Sequence, residues 1–547
     1  MHHRDLDRLK KFSRRSLLLG GGKAVLLAAL GSRLYYLQVV QSDRYLMLAE
    51  ENRINLRLLP PPRGRIFDRL GEPLAANRFN YRVVLISEQA RTVEETLDDL
   101  GQIIPISEHD YRRVLRESRR KRGFVPITVR ENLTWAEVSR VEVNVPDLPG
   151  IMIDVGQTRT YPLGATAAHI VGYVAPVSED DLTGDPLLEL PEFRIGRNGI
   201  EKVYDKFLRG SAGNSQVEVN AYGRVIRELE RNDGQPGDDL VLTLDAGLQS
   251  YATDRLGDES ASTVVLDIHS GDVLAMASTP TYDPNAFTAG LSQDEWQDLL
   301  SNPRKPLINK AIAGQYAPGS TFKMVVALAA LEGGVLTPQQ RFTCKGRLRL
   351  GDRYFHCWKR GGHGELDMVR AIEQSCDVYF YEVARRAGIE RIADMAVLFG
   401  IGGRTRIDLA GERTGLVPDR EWKLATFGAP WQQGETLIVG IGQGYLLTTP
   451  LQLAVMTARL ANGGVAVTPR LVRRPALPAP GGTDEATPAP AFERLGISPG
   501  SLGTVIKGMT RVTNERRGTA YAARITEPEM AMAGKTGTTQ VRRISKS

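Results

Sequence analysis

Cysteine is scarce in this chain, with three in 547 residues. That excludes a scaffold built on disulfides, and an odd count cannot pair completely. Long apolar runs are scarcer still. Only one stretch approaches the ~20 residues that a bilayer core demands, which excludes a polytopic membrane protein. A large charge excess is missing too: the formal net charge is +6. Such mild basicity permits an anionic partner without demanding one, and no nucleic-acid partner is expected. With 42% hydrophobic and 24% charged residues, the composition matches soluble globular chains and excludes a mostly disordered one. No internal repeat is present.

The one apolar run lies near the start. Residues 1–15 carry Arg4, Arg8, Lys10, Lys11, Arg14 and Arg15 against Asp5 and Asp7, and read as a cytoplasmic tail. Residues 16–40 follow as a transmembrane anchor, interrupted by Lys23, whose stem can snorkel, and ending beside Arg33, Tyr35 and Tyr36. The basic flank places the N-terminus inside and the rest outside, giving a single-pass protein of the inner membrane with its mass in the periplasm. A cleaved export signal, including a twin-arginine form at Arg14-Arg15, and a buried soluble helix are the rival readings.

Past the anchor, residues 41–55 read as its helical continuation, and Pro60, Pro61 and Pro62 as an extended exit. Alternating patterns at 81–87 and 124–130 predict strands, and charged periodic runs at 91–101 and 107–121 predict helices. A second regime begins near Asp238. Residues 238–245 read as a strand, the next eleven as a helix, and 263–278 as a hairpin turning near Ser270-Gly271-Asp272. Residues 324–334 form a helix apolar nearly all round, hence buried. Residues 475–491 are rich in proline and glycine and read as a surface loop. The fold class is multidomain α+β.

Ser320-Thr321-Phe322-Lys323 opens the buried helix. Residues i and i+3 share a helix face, so Lys323 can set its amine beside the Ser320 hydroxyl. Burial disfavours the ammonium, and the amine can then act as a base. Free N–H groups at a helix start suit a developing oxyanion. Alone the pattern is weak, but Ser375-Cys376-Asp377 and Lys535-Thr536-Gly537-Thr538 follow it in order. Ser-x-x-Lys, Ser-Asp-Asn and Lys-Thr-Gly together mark serine β-lactamases and penicillin-binding proteins, although the middle motif here ends in Asp. The last run has strand character. Gly537 lets a substrate lie close, Lys535 offers a cation for a carboxylate, and Thr536 and Thr538 offer hydroxyls.

With these motifs the chain resembles the class B penicillin-binding proteins of the elongation type. Further markers are Arg63-Gly64-x-Ile66-x-Asp68-Arg69-x-Gly71, RTYPLGATAAHIVGY (159–173) and GRNGIEKVYDKFLRG (196–210). In the second half come STPTYDPNAF (278–287), GQYAPGSTFK (314–323) and GIGQGYLLTTPLQLA (440–454). The glycines and prolines of these markers read as turn and packing positions.

The resemblance implies a pedestal or dimerisation domain over 41–235 and a transpeptidase domain over 236–547, with an antiparallel sheet flanked by helices plus an all-helical part. It implies peptidoglycan D,D-transpeptidation in cell elongation and rod-shape maintenance. Ser320 attacks the penultimate D-Ala of a stem pentapeptide, Lys323 takes its proton, and Ser375 relays a proton to the leaving amine. Lys535, Thr536 and Thr538 hold the terminal carboxylate, and the N–H groups of Ser320 and Thr538 form the oxyanion hole. Asp377 touches substrate or orients Ser375 and Lys323. β-Lactams acylate the same serine. Implied partners are D-Ala-D-Ala stem peptides, a membrane glycan polymerase of the SEDS type and elongation-complex proteins. The family continues past Lys-Thr-Gly with two strands and a helix, so a chain ending at Ser547 is expected to be truncated, with Lys535 on an exposed sheet edge. The alternatives are a serine D,D-carboxypeptidase or β-lactamase-like hydrolase, and an inactive truncated scaffold.

All three cysteines fall within 344–376, in the order Cys344-x12-Cys357-x5-His363-x12-Cys376. A Cys3His set suits structural zinc. The resemblance adds to this, since some elongation-type relatives carry zinc beside the middle motif. A Cys344–Cys357 disulfide and buried free thiols are the other readings. His356 rivals His363 as a ligand, while His169 and His269 read as structural. No organic cofactor is expected.

Overall fold

The computed structural model describes residues 3–41, 54–190, 193–220, 225–473 and 491–539. The chain opens with a 33-residue helix, His3–Tyr35, extended by one π-helical turn over Tyr36–Val40. Its apolar stretch Leu17–Tyr35 is not buried against any other part of the described residues. Most of the expected continuation, residues 42–53, lies outside the described residues. Where description resumes, Ile54–Leu59 is a strand rather than a helix.

This strand forms the edge of a three-stranded antiparallel sheet, followed by Gly213–Val219 and then Val225–Asn232. A second sheet is built on the long strand Pro73–Leu85. Ile151–Thr160 pairs with it antiparallel, from Ala76 opposite Thr160 to Leu85 opposite Ile151. Ile127–Arg130 and Ile66–Phe67 also flank it, and Leu240–Val241 adds parallel to Ile66–Phe67. Three helices cover one end of this sheet: Val93–Ile103, Glu108–Arg120 and Trp135–Asn144. Each starts where its sequence supplies a cap, at Thr92, Ser107 and Thr134, whose hydroxyls accept the orphan N–H of the first turn. Val83, Leu85, Leu97, Leu100, Val114, Ile127 and Val141 close the core between them.

The expected strand at 238–245 shortens to two residues. Leu242 and Leu244 are nonetheless fully buried, because they join Ile66, Leu74, Val273, Met276 and Leu471 in a core shared by both halves of the chain. Ala246–Leu256 is the helix expected there, and Ala261–Leu266 with Val273–Thr279 is the expected hairpin. The buried helix runs Lys323–Glu332, with every residue from Lys323 to Ala330 buried. Asp377–Ala387, Ile389–Leu398 and Pro499–Asn514 surround it. The loop expected at 475–491 lies, save for its last residue, outside the described residues.

Three of the sequence markers meet below this core. Arg63 and Arg159 both pair with Glu201, each at 2.7 Å, and Arg63 also reaches Asp205 at 2.9 Å. Glu201 has no exposed surface. Burial opposes its charge, but the two guanidinium groups outweigh it and hold its carboxyl below the ordinary range. Glycine- and arginine-rich markers 138 residues apart thus form one ionic rivet under the catalytic half.

Candidate active site

Ser320 sits in a 3-10 turn, Gly319–Phe322, that feeds the buried helix. The turn is built on Gly319, at φ +59°, where a Cβ would lie 2.6 Å from the Thr538 carbonyl oxygen. Only glycine allows the two segments to approach so closely. The Gly319 N–H donates to the Gly442 carbonyl at 2.8 Å, which ties the 440–444 marker to the back of the same turn. Gly537 serves a matching purpose: a Cβ there would stand 3.0 Å from Thr321 Cγ2.

Ser375 joins the helices Met368–Glu373 and Asp377–Ala387 with a left-handed backbone, φ +51°, unusual for a side chain that prefers other regions. Such a conformation costs on the order of 1 kcal/mol and persists where the surroundings over-determine it. Here they do. The Lys323 ammonium donates to the Ser375 carbonyl at 2.9 Å, to Ser375 Oγ at 3.2 Å and to Asp377 Oδ1 at 2.7 Å. Lys535 Nζ approaches Ser375 Oγ from the other side at 2.9 Å and also donates to the Thr536 carbonyl. The chain Asp377–Lys323–Ser375–Lys535 is therefore continuous. Lys323 has no exposed surface, and Ser375 and Asp377 are buried with it.

Two expectations shift. The Lys323 amine makes no hydrogen bond to Ser320. It turns to Asp377, because a buried cation is stabilised most by a carboxylate. The 531–539 stretch, expected as a strand, is extended without a ladder among the described residues, since no strand lies beside it. Its anchors are the Gly534 N–H on the Met509 carbonyl, Lys535 on Ser375, and the Thr536 hydroxyl 2.7 Å from that of Thr519.

Two amines share Ser375 Oγ, and one carboxylate balances them. Burial and the neighbouring Lys323 push Lys535 down from 10.5 to about 7, with Asp377 opposing.

One neighbour carries no motif. The Trp358 backbone N–H donates to Asp377 Oδ2 at 2.9 Å. Its indole N–H reaches the Gln374 and Ser375 carbonyls, both at 3.2 Å. It holds the carboxylate that holds Lys323, yet the residue is 59% exposed. The one signal for it in the sequence is adjacency to Cys357.

Cys344, Cys357, His363 and Cys376 converge, their donor atoms all within 4.8 Å of one another. All three cysteines are buried and free, so the disulfide reading fails. His356 is exposed and outside the cluster. Side-chain hydrogen bonds from Cys376 hold Cys344 down to about 6 and Cys357 down to about 2, while the same contacts raise Cys376. Burial opposes charge on His363, but hydrogen bonds to Cys357 and Cys344 raise it. His363 Nδ1 lies 3.6 Å from Cys357 Sγ, and its Nε2 is buried without a partner. Three sulfurs and an imidazole, two of the sulfurs predisposed to the thiolate, fit a tetrahedral metal ion. The cluster could hold a metal. Cys376 also caps the helix that carries Asp377, its sulfur accepting the Tyr379 N–H. His169 is buried against Tyr282. His269 sits exposed on the hairpin turn, its N–H bonded to Asp267.

The profile described as "Penicillin binding protein transpeptidase domain" matches residues 261–546, and that described as "Penicillin-binding Protein dimerisation domain" matches 58–242. The chain belongs to the class B penicillin-binding proteins. It is 39% identical over 538 residues to the peptidoglycan D,D-transpeptidase MrdA of Escherichia coli K12, covering 97% of this chain and 84% of that one. Penicillin-binding protein 2 of Helicobacter pylori, solved in complex with MreC, superposes with a TM-score of 0.78 at 32% identity, over 89% of each chain. A structure titled for the coordination of polymerization and crosslinking by a peptidoglycan synthase complex gives 0.69 at 30% identity, over 96% of this chain and 88% of that one. For a class B penicillin-binding protein, the meeting of the three motifs at one cleft is the feature to explain.

Proposed function

We propose that this chain is a serine-type peptidoglycan D,D-transpeptidase of cell elongation, cross-linking stem peptides through an acyl-enzyme. The observation that carries this reading is the continuous chain Asp377–Lys323–Ser375–Lys535, whose Lys323 grows from the same turn as the half-buried Ser320. Ser320 Oγ attacks the penultimate D-Ala carbonyl. Lys323, reacting as the free amine between Ser375 and Asp377, takes the hydroxyl proton and returns it through Ser375 to the departing D-Ala amine. Asp377 positions both, and Trp358 positions Asp377. Lys535 and the hydroxyls of Thr536 and Thr538 hold the terminal carboxylate, with Gly537 leaving room against the turn. The N–H groups of Ser320 and Thr538 receive the oxyanion. A stem-peptide amine then attacks the acyl-enzyme, and β-lactams acylate the same serine.

In this reading residues 1–15 are a cytoplasmic tail, 16–40 a single inner-membrane anchor, 41–235 a pedestal and 236–547 a periplasmic catalytic domain. The apolar stretch Leu17–Tyr35, not buried against any of the described residues, supports the anchor. The H. pylori complex with MreC and the peptidoglycan synthase complex support elongation proteins and a SEDS-type polymerase as partners. Zinc is the metal we assign to Cys344, Cys357, His363 and Cys376, in a closed structural role. Bound there, it would lock Cys376, and with it the helix start that carries Asp377.

Fluorescent penicillin tests the assignment. The chain should be labelled, and Ser320→Ala should abolish labelling at a stability cost of ~1 kcal/mol or less, since the loss is one hydroxyl at a helix start. Label persisting in Ser320→Ala overturns the nucleophile. Product analysis with two stem peptides should show a cross-linked dimer; free tetrapeptide alone would mean hydrolysis.

A further inference from the structure

Away from the catalytic cleft, a groove of about 440 Å³ opens between segments 173–197 and 287–296. Tyr173, Arg197, Phe287, Gln293 and Trp296 wall it. Tyr173 and Phe287 lie nearly stacked, their centroids 4.2 Å apart at 31°, and Phe287 meets the Trp296 ring edge-on at 6.3 Å. Tyr282 backs this shelf, 5.1 Å from Phe287. The helix Gln293–Ser301 that carries Trp296 buries none of its residues. Trp296 and Leu300, four apart on one face, remain 39% and 44% exposed. The indole is thus displayed rather than spent on the core.

Three polar groups around the shelf are uncommitted. The Tyr173 hydroxyl, the Gln293 amide and the Trp296 Nε1–H make no hydrogen bond to another described residue. Aromatic faces rimmed by free donors suit a pyranose ring, whose C–H face lies on the rings while its hydroxyls reach the rim.

A second groove, about 470 Å³, adjoins the first through their shared Arg197. Asp181 and Asp205 on its wall are already paired, with Arg197 at 2.7 Å and with Arg63 at 2.9 Å. Lys202 and Lys206, both exposed on that wall, have no ion-pair partner among the described residues. The uncompensated charge is positive, and it begins where the aromatic shelf ends. The complementary ligand is a saccharide chain that carries carboxylates on a side branch.

We infer that the paired grooves seat an uncross-linked glycan strand, with a sugar on the exposed Trp296 indole beside Phe287 and Tyr173 and stem-peptide carboxylates towards Lys202 and Lys206. The inference rests on the transpeptidase reading for the identity of the polymer. It would give the enzyme a hold on the strand separate from its hold on the D-Ala-D-Ala end.

The test measures binding of soluble uncross-linked strands bearing intact pentapeptides and, separately, of the free pentapeptide. Trp296→Ala should weaken strand binding roughly fivefold to tenfold and leave pentapeptide binding and penicillin labelling unchanged. Trp296→Phe should keep most of the affinity. The double variant Lys202→Ala with Lys206→Ala, which disturbs no packing, should weaken strands at low salt and flatten their salt dependence. Strand affinity unchanged in both Trp296→Ala and the lysine pair overturns the inference. So does a wild-type chain that does not bind strands, or a loss of equal size for strand and pentapeptide. Tight strand binding by a chain that penicillin never labels would uphold the grooves and defeat the transpeptidase reading.

Discussion

Lys535 should make acylation depend on pH near neutrality. Its amine donates to Ser375 Oγ at 2.9 Å, and Lys323 donates to the same oxygen from the other side at 3.2 Å. Burial and this second cation bring Lys535 down to about 7 from an ordinary 10.5. A lysine so depressed is charged below that pH and neutral above it. A single group titrating near 7 is roughly nine-tenths charged at pH 6 and one-tenth charged at pH 8. If the charged form holds the ligand carboxylate, the second-order acylation rate by a carboxylate-bearing β-lactam should fall about tenfold between those values. Above pH 7 binding must also take up a proton, so affinity drops by ~1.4 kcal/mol per pH unit until the bound lysine itself titrates. Stability runs the opposite way: between pH 7 and 10.5 the unfolded chain binds the extra proton, so this group's contribution to stability rises with pH. Stopped-flow acylation from pH 5.5 to 9 reads the effect. Lys535→Arg, whose guanidinium stays charged, should remove the descending limb, and a β-lactam ester without a carboxylate should never show it. A limb near pH 7 that survives in Lys535→Arg, or that appears with the ester, refutes the reasoning.

Glu201→Gln should lower thermal stability by about 3–5 kcal/mol, because Arg159 would keep its charge in a buried site without a carboxylate and Arg63 would be left with Asp205 alone; calorimetry checks this. The protein should purify with about one zinc per chain, and Cys357→Ser should lower both metal content and melting temperature; elemental analysis finding no zinc removes the metal. A reporter active only in the periplasm, fused after Asn80, should be active, and a cytoplasmic signal from it would reverse the topology.

What the sequence made legible was local. The charged periodic runs at 91–101 and 107–121 are the helices Val93–Ile103 and Glu108–Arg120, and the hairpin expected at 263–278 closes on its own turn at Gly271. The Ser-x-x-Lys spacing placed Ser320 and Lys323 at one helix start, but the Lys323 side chain answers to partners more than fifty residues away. Lys323 turns to Asp377, 54 positions on, because the strongest stabilisation open to a desolvated ammonium is a carboxylate, and i,i+3 spacing has no knowledge of it. The Lys535 segment fails as a strand for the same reason. Alternation marks a capacity for pairing, whereas a ladder needs a second strand alongside, and the described residues hold none there. Trp358 was invisible because it acts through a backbone N–H and an indole edge, which any motif made of reactive side chains overlooks. The cysteines are the instructive middle case. Their order suggested a metal with His363 as fourth ligand and His356 as its rival, and the fold brings His363 to the cysteines. That choice follows from the strand Arg353–His356, which pairs His356 with Arg347 at an exposed edge. The turn after Cys357 instead brings the His363 N–H back to the Cys344 carbonyl at 3.1 Å, so the ring is delivered to the sulfurs by its own backbone.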